Sequence, residues 1–220
     1  MSTNPNGHRV LTFNKYELQG KKAAKEDAVK YPVLAAGEGL PNEDLVYAFD
    51  SKESFAKWAE KTKHAEKIAG ILKGLEKVKG YEKKDNTVAK RQQAKLAQRV
   101  LEDLKELSDR TGLPIASTEL LKRASDESEP LEGRIFHHSS VLWEHPGGWG
   151  AAWPAFGVPF PDLNWFQWGN RASSVSVNNF ALLTDNPWYG GQSVYLFGVL
   201  WTLYNLANFG FERRTEAIWS

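Results

Sequence analysis

The side chains best suited to chemistry are His137, His138, Glu144 and His145, with Asp185 and Asn186 further along the chain. Imidazoles beside a carboxylate can move protons or hold a transition metal. The spacing works against both uses. Neighbouring side chains on a strand point to opposite faces, so His137 and His138 cannot close on one ion. No G-x-S-x-G, H-E-x-x-H, P-loop or G-x-G-x-x-G pattern occurs anywhere in the chain. The residues therefore assign no catalytic role, and the chain reads as non-catalytic.

A second kind of chemistry belongs to oxygen. The run Gly169-Asn170-Arg171-Ala172-Ser173-Ser174 brings an amide and two hydroxyls into one turn. Such side chains satisfy turn backbone locally by short side-chain hydrogen bonds. The corresponding run, Glu212-Arg213-Arg214-Thr215-Glu216-Ala217, carries two arginines that oppose a cation electrostatically. There the expectation is that Glu216 pairs with a nearby arginine.

Both runs close copies of a duplicated unit. Leu142-Trp-Glu-His-Pro-Gly-Gly-Trp-Gly150 opens the first copy, and Leu183-Thr-Asp-Asn-Pro-Trp-Tyr-Gly-Gly191 opens the second. Each is an aromatic-rich strand entering a Pro/Gly corner. The spacing of Thr184, Tyr189 and Gly191, and of Trp143, Gly148 and Gly150, resembles the folded hairpin of microbial βγ-crystallins. The Asn170 to Ser174 run resembles the turn that closes each Greek key in that family. In the first copy Gly148 takes the place of the second aromatic, and Trp149 sits beside it. The resemblance covers residues 134–220 and implies two Greek keys packed as an all-β sandwich. It also implies a weak calcium site drawing on Glu144, Asn170, Arg171 and Ser173, partly through backbone carbonyls. The second turn departs too far from the pattern to supply its share.

Composition divides the chain. Every lysine lies at or before Lys122, and every tryptophan except Trp58 lies at or after Trp143. The stretch 124–133 is acidic, broken by Pro130 and poor in large apolar residues, which reads as a linker. The expectation is an α+β chain with a helical domain over 1–123 and the sandwich over 134–220. In the first part Arg9–Phe13 and Leu45–Phe49 read as strands, and Tyr31–Ala35 as an edge strand because of its proline. Asp50 or Ser51 caps a helix bearing Phe55, Trp58 and Ala59. An apolar stripe from Ala65 through Leu75 to Val78, and another from Ala89 to Leu107, predict a helical hairpin on a small sheet.

The hairpin's lysines and arginines are interleaved with Glu76, Glu82, Asp85, Glu102 and Glu106. Mixed charge of that kind solvates a helix rather than tracking phosphates, so nucleic acid is not the expected partner. The formal charge is +1 and cysteines number 0, so neither a global electrostatic pull nor a disulfide framework is present. The absence of a signal peptide and of long apolar runs predicts a cytoplasmic protein that does not span a membrane. The expected function is a binding or structural one. A protein partner, or self-association through the helical hairpin, fits its long apolar stripe. Inhibition of a hydrolase, or an enzyme or biosynthetic accessory role in an interdomain cleft, are the alternatives.

Overall fold

The computed structural model describes residues 2–3, 8–11, 13–79, 102, 105–106, 109, 139–156, 159–199 and 201–220. The N-terminal strands are β1 (Ser2–Thr3), β2 (Arg9–Val10), β3 (Lys15–Leu18), β4 (Lys21–Ala23), β5 (Val33–Gly37) and β6 (Leu45–Phe49). Helices α1 (Lys25–Ala28), α2 (Lys52–Ala59) and α3 (Ala65–Lys79) lie among and after them. The Ser51 hydroxyl starts α2 by accepting the Ser54 N–H at 3.0 Å, satisfying one of the helix's free donors.

The first C-terminal repeat consists of β7 (Ser139–His145), β8 (Trp149–Phe156), β9 (Pro159–Phe160) and β10 (Ser174–Asn178). The second consists of β11 (Ala181–Asn186), β12 (Gly190–Phe197), β13 (Thr202–Asn205) and β14 (Ala217–Trp219). In each, the fourth strand returns beside the first, β10 against β7 and β14 against β11. The third strand crosses to the other sheet, so β9 pairs with β14 and β13 with β10. Two such Greek keys, each lending one strand to its twin, make a βγ-crystallin-like sandwich. Fully buried Leu142, Val175, Leu183, Val194, Tyr204 and Ile218 fill the space between its sheets.

The N-terminal strands extend both of these sheets. Strand β5 runs parallel to β12 with Val33 opposite Ser193 and Gly37 opposite Phe197. Strand β2 meets β13 in parallel at Val10 and Leu203. The result is a six-stranded sheet ordered β1-β2-β13-β10-β7-β8 and an eight-stranded sheet ordered β4-β3-β6-β5-β12-β11-β14-β9. Leu11, Phe13, Leu34 and Val46 enter the same core as the crystallin-like residues. Residues from 1–123 and from 134–220 thus contribute to one core, and their described parts join edge to edge. The boundary stretch 124–133 lies outside the described residues.

Strand β5 corrects its expected place at an edge. Pro32 sits just ahead of the strand, so β5 keeps its donors and lies between β6 and β12. All residues of β5 and β6 are buried, as strands covered on both faces must be. Their outer face takes Phe55 and Ala59 of α2 and Ile68, Ile71 and Leu75 of α3. Ile68, Ile71 and Leu75 of the expected hairpin's first half therefore pack inside their own chain. The second half, including Leu96 and Val100, lies outside the described residues, apart from exposed helical positions such as Glu102 and Glu106. Among the described residues no helix is long and apolar enough to cross a membrane.

Candidate functional site at the paired turns

Each repeat carries a one-turn 3₁₀ helix after its third strand or the segment following it, Leu163–Phe166 in the first and Leu206–Phe209 in the second. The helices end in left-handed residues, Gln167 at φ 59° and Gly210 at φ 64°. The turns that follow hold one another. The Asn170 N–H donates to the Thr215 carbonyl at 2.9 Å, and the Arg213 N–H donates to the Ala172 carbonyl at 2.8 Å. The residues read from the sequence as a calcium turn thus lie where the two Greek keys meet.

Within each turn an arginine reaches back to the hairpin of its own repeat. Arg171 Nη2 lies 2.9 Å from Glu144 Oε1, and Arg214 Nη2 lies 2.5 Å from Asp185 Oδ2. The other amino group donates to a carbonyl four residues back, Gln167 at 3.4 Å and Gly210 at 2.7 Å. Each guanidinium also faces an aromatic ring, Trp168 at 4.9 Å and Phe211 at 5.4 Å. The hydrogen bond from Arg171 holds the Glu144 carboxyl below the usual carboxylate range.

The hairpins are shaped to admit these pairs. Gly150, at φ 87°, leaves room where a Cβ would come within 2.6 Å of the His145 ring. Gly191, at φ 64°, does the same beside the Asp185 carboxylate. The Ser174 hydroxyl donates to the His145 carbonyl at 2.7 Å and accepts the Gly148 N–H at 3.1 Å, tying turn to hairpin.

The donor set expected for calcium does not fit that ion as it stands. Glu144 is neutralised by Arg171, and the Asn170 amide donates to Glu216 at 2.7 Å. The carbonyls of Gln167, Gly210 and His145 already accept hydrogen bonds. Among the described residues Ser173 offers a buried hydroxyl without a partner, and with the amide oxygen of Asn170 that makes two neutral side-chain ligands where calcium takes six to eight oxygens. The expected pairing of Glu216 with an arginine is also corrected: Asp185 receives Arg214, and Glu216 receives the amide of Asn170. His137 and His138 lie outside the described residues. Among the described residues no cluster of three His, Asp or Glu side chains could hold a metal.

Sequence reasoning missed a second polar cluster, on the seam between the N-terminal strands and the second repeat. Glu38, nearly buried, accepts from Arg9 and from the Thr202 hydroxyl at 3.0 Å. Arg9 also reaches Glu43 at 3.2 Å. The His64 ring stacks on Phe197 at 4.2 Å, with Nε2 2.7 Å from the Glu38 carbonyl. Nothing in the local sequence marks these residues as neighbours.

No family model matches the chain, and no curated protein does. Among solved structures, a beta gamma crystallin from Ciona intestinalis shows 19% identity and covers 37% of this chain and 98% of its own, with a TM-score of 0.34. A structure described under evolution of the eye lens beta-gamma-crystallin domain fold shows 17% identity over 36% of this chain and 81% of its own, with a TM-score of 0.34. A betagamma-crystallin from an archaeon shows 16% identity over 38% and 96%, with a TM-score of 0.33. It is the strand order of residues 139–220, rather than these similarities, that makes the region βγ-crystallin-like.

Proposed function

We propose that the protein is a non-catalytic binding module that takes an acidic protein segment at the outer end of the eight-stranded sheet. The supporting observation is a pair of open cavities of about 640 and 440 Å³, both bordered by Gln19. Lys21, Lys22 and Lys30 ring the first beside Tyr31, and Lys57 and Lys61 ring the second over Tyr47 and Trp58. All five lysines are exposed, whereas Glu17 and Asp27 are the acidic residues in the two linings. Cations around aromatic rings suit a peptide that alternates carboxylates with apolar side chains. Glu17 and Asp27 would oppose a continuous phosphate backbone, while a peptide can space its carboxylates to avoid them.

Titrating a labelled, glutamate-rich peptide that also carries aromatic residues tests this by fluorescence anisotropy. Saturable binding that weakens with added salt is expected, and Lys57→Glu with Lys61→Glu should reduce affinity about tenfold or more. A single-stranded oligonucleotide of equal charge should bind less well. Equal or better binding of the oligonucleotide, or indifference to the two substitutions, overturns the reading.

A further inference from the structure

We infer that arginine is the resident cation of both Greek keys, standing where the fold would otherwise call for a bound metal. Arg171 and Arg214 occupy the same place in their turns, and each makes the same three contacts. These are a carboxylate at the equivalent hairpin position, a carbonyl four residues back, and the face of an aromatic ring. One such arrangement could be a chance surface pair. Two, related by the internal duplication, form a built feature.

The chemistry supports the substitution. A carboxylate and a turn carbonyl are oxygen ligands of the kind a hard cation gathers. A guanidinium gathers the same atoms through its planar fork and keeps its charge at every physiological pH. Unlike a metal, it cannot dissociate. The aromatic ring beneath it limits the directions in which it can swing. The turns are also closed on each other by Asn170 with Thr215 and Arg213 with Ala172, so the sandwich needs no added ion at this end. Hairpin and turn are joined in both halves irrespective of the calcium concentration around the protein.

Thermal unfolding of the full chain, in chelator and with added calcium, provides the test together with calorimetric titration of calcium alone. The wild-type midpoint should be the same in both conditions, with no saturable heat of binding. In Arg171→Ala/Arg214→Ala, Glu144 and Asp185 lose their cationic partners, while Asp185 keeps the Gln192 N–H at 2.7 Å. The midpoint should fall by about 2–4 °C per pair, and calcium should restore part of the loss. Arg171→Lys and Arg214→Lys, which keep the charge and lose the fork, should fall less and stay indifferent to calcium. They also serve if the alanine variant does not fold. Saturable calcium binding by the wild type overturns the inference. So does an alanine variant as stable as the wild type, or one that is weakened yet gains nothing from calcium. Calcium-responsive lysine variants overturn it as well.

Discussion

In the first Greek key the hairpin corner is built from Gly147 and Gly148, at φ 86° and 76°, and the next residue, Trp149, is 59% exposed and leans on the His145 ring at 4.3 Å. In the second, the equivalent corner is Trp188 and Tyr189, at φ 59° and 60°, and Tyr189 is fully buried. Glycine adopts that backbone at little cost, whereas a residue with a side chain is disfavoured by about 1–2 kcal/mol. The second corner tolerates the strain because it is covered. Tyr189 packs with Trp219 and with the core under α2 and α3, and its hydroxyl donates to the Ile218 carbonyl at 3.2 Å. Lys52 of α2 donates to its carbonyl at 3.3 Å. Two copies of one motif thus diverge according to what the N-terminal extension buries. The extension also joins β12 and β13 of the second repeat, while β8 of the first stays at the end of its sheet. Pro154 suits that end position, since proline brings no N–H to a ladder.

Removing the N-terminal extension should have the largest effect on the second repeat. Residues 134–220 alone should lose near-ultraviolet circular dichroism, because β12 and β13 would be stripped of neighbours and the shared core would open. A fragment with native-like dichroism and a cooperative melt would show that the extension is an accessory. Next in size, Tyr189→Ala should lower stability by about 3–5 kcal/mol, measured by urea denaturation, as expected for a large buried ring.

A smaller effect should come from the seam. Burial holds the His64 pKa below its ordinary 6.5, helped by the charges of Lys67 and Lys63. The folded state therefore favours the neutral ring. Its contribution is present above the unfolded value and is lost as pH falls through the lower, folded one. A denaturation series across mildly acidic pH should show that loss, and His64→Gln should flatten it. Smallest of all, Trp149→Ala should change stability by no more than about 0.5 kcal/mol, since the ring is mostly solvated. A large loss there would mean that the first corner is supported in a way its exposure does not suggest.

What was legible in the sequence was local. Strand β6 follows from a short apolar run bounded by turn residues and the Ser51 cap of α2 from capping chemistry, and the duplicated hairpins follow from glycine and aromatic spacing. Strands β3 and β4 escaped notice because Lys15-Tyr-Glu-Leu18 and Lys21-Lys-Ala23 are short and polar at a sheet end. The Arg171–Glu144 and Arg214–Asp185 pairs could have been found by aligning the repeats, since acid and arginine recur 27 and 29 positions apart. Taken alone, Arg213 and Arg214 signal only repulsion of a metal. The joining of β5 to β12 leaves no local mark at all, because parallel pairing between distant segments depends on neither turn chemistry nor period.

That parallel joint has a consequence for how the chain reaches its native state. Glu38 and Thr202, which hydrogen-bond across the seam, are 164 positions apart. During synthesis the N-terminal strands emerge from the ribosome long before β12 and β13 exist to receive them. Their apolar faces and unpaired backbone edges must wait, in a window open to aggregation or to chaperone capture. Closing so long a loop is slow in itself. The protein should therefore fold late and largely all at once, its first-made strands the last to be secured.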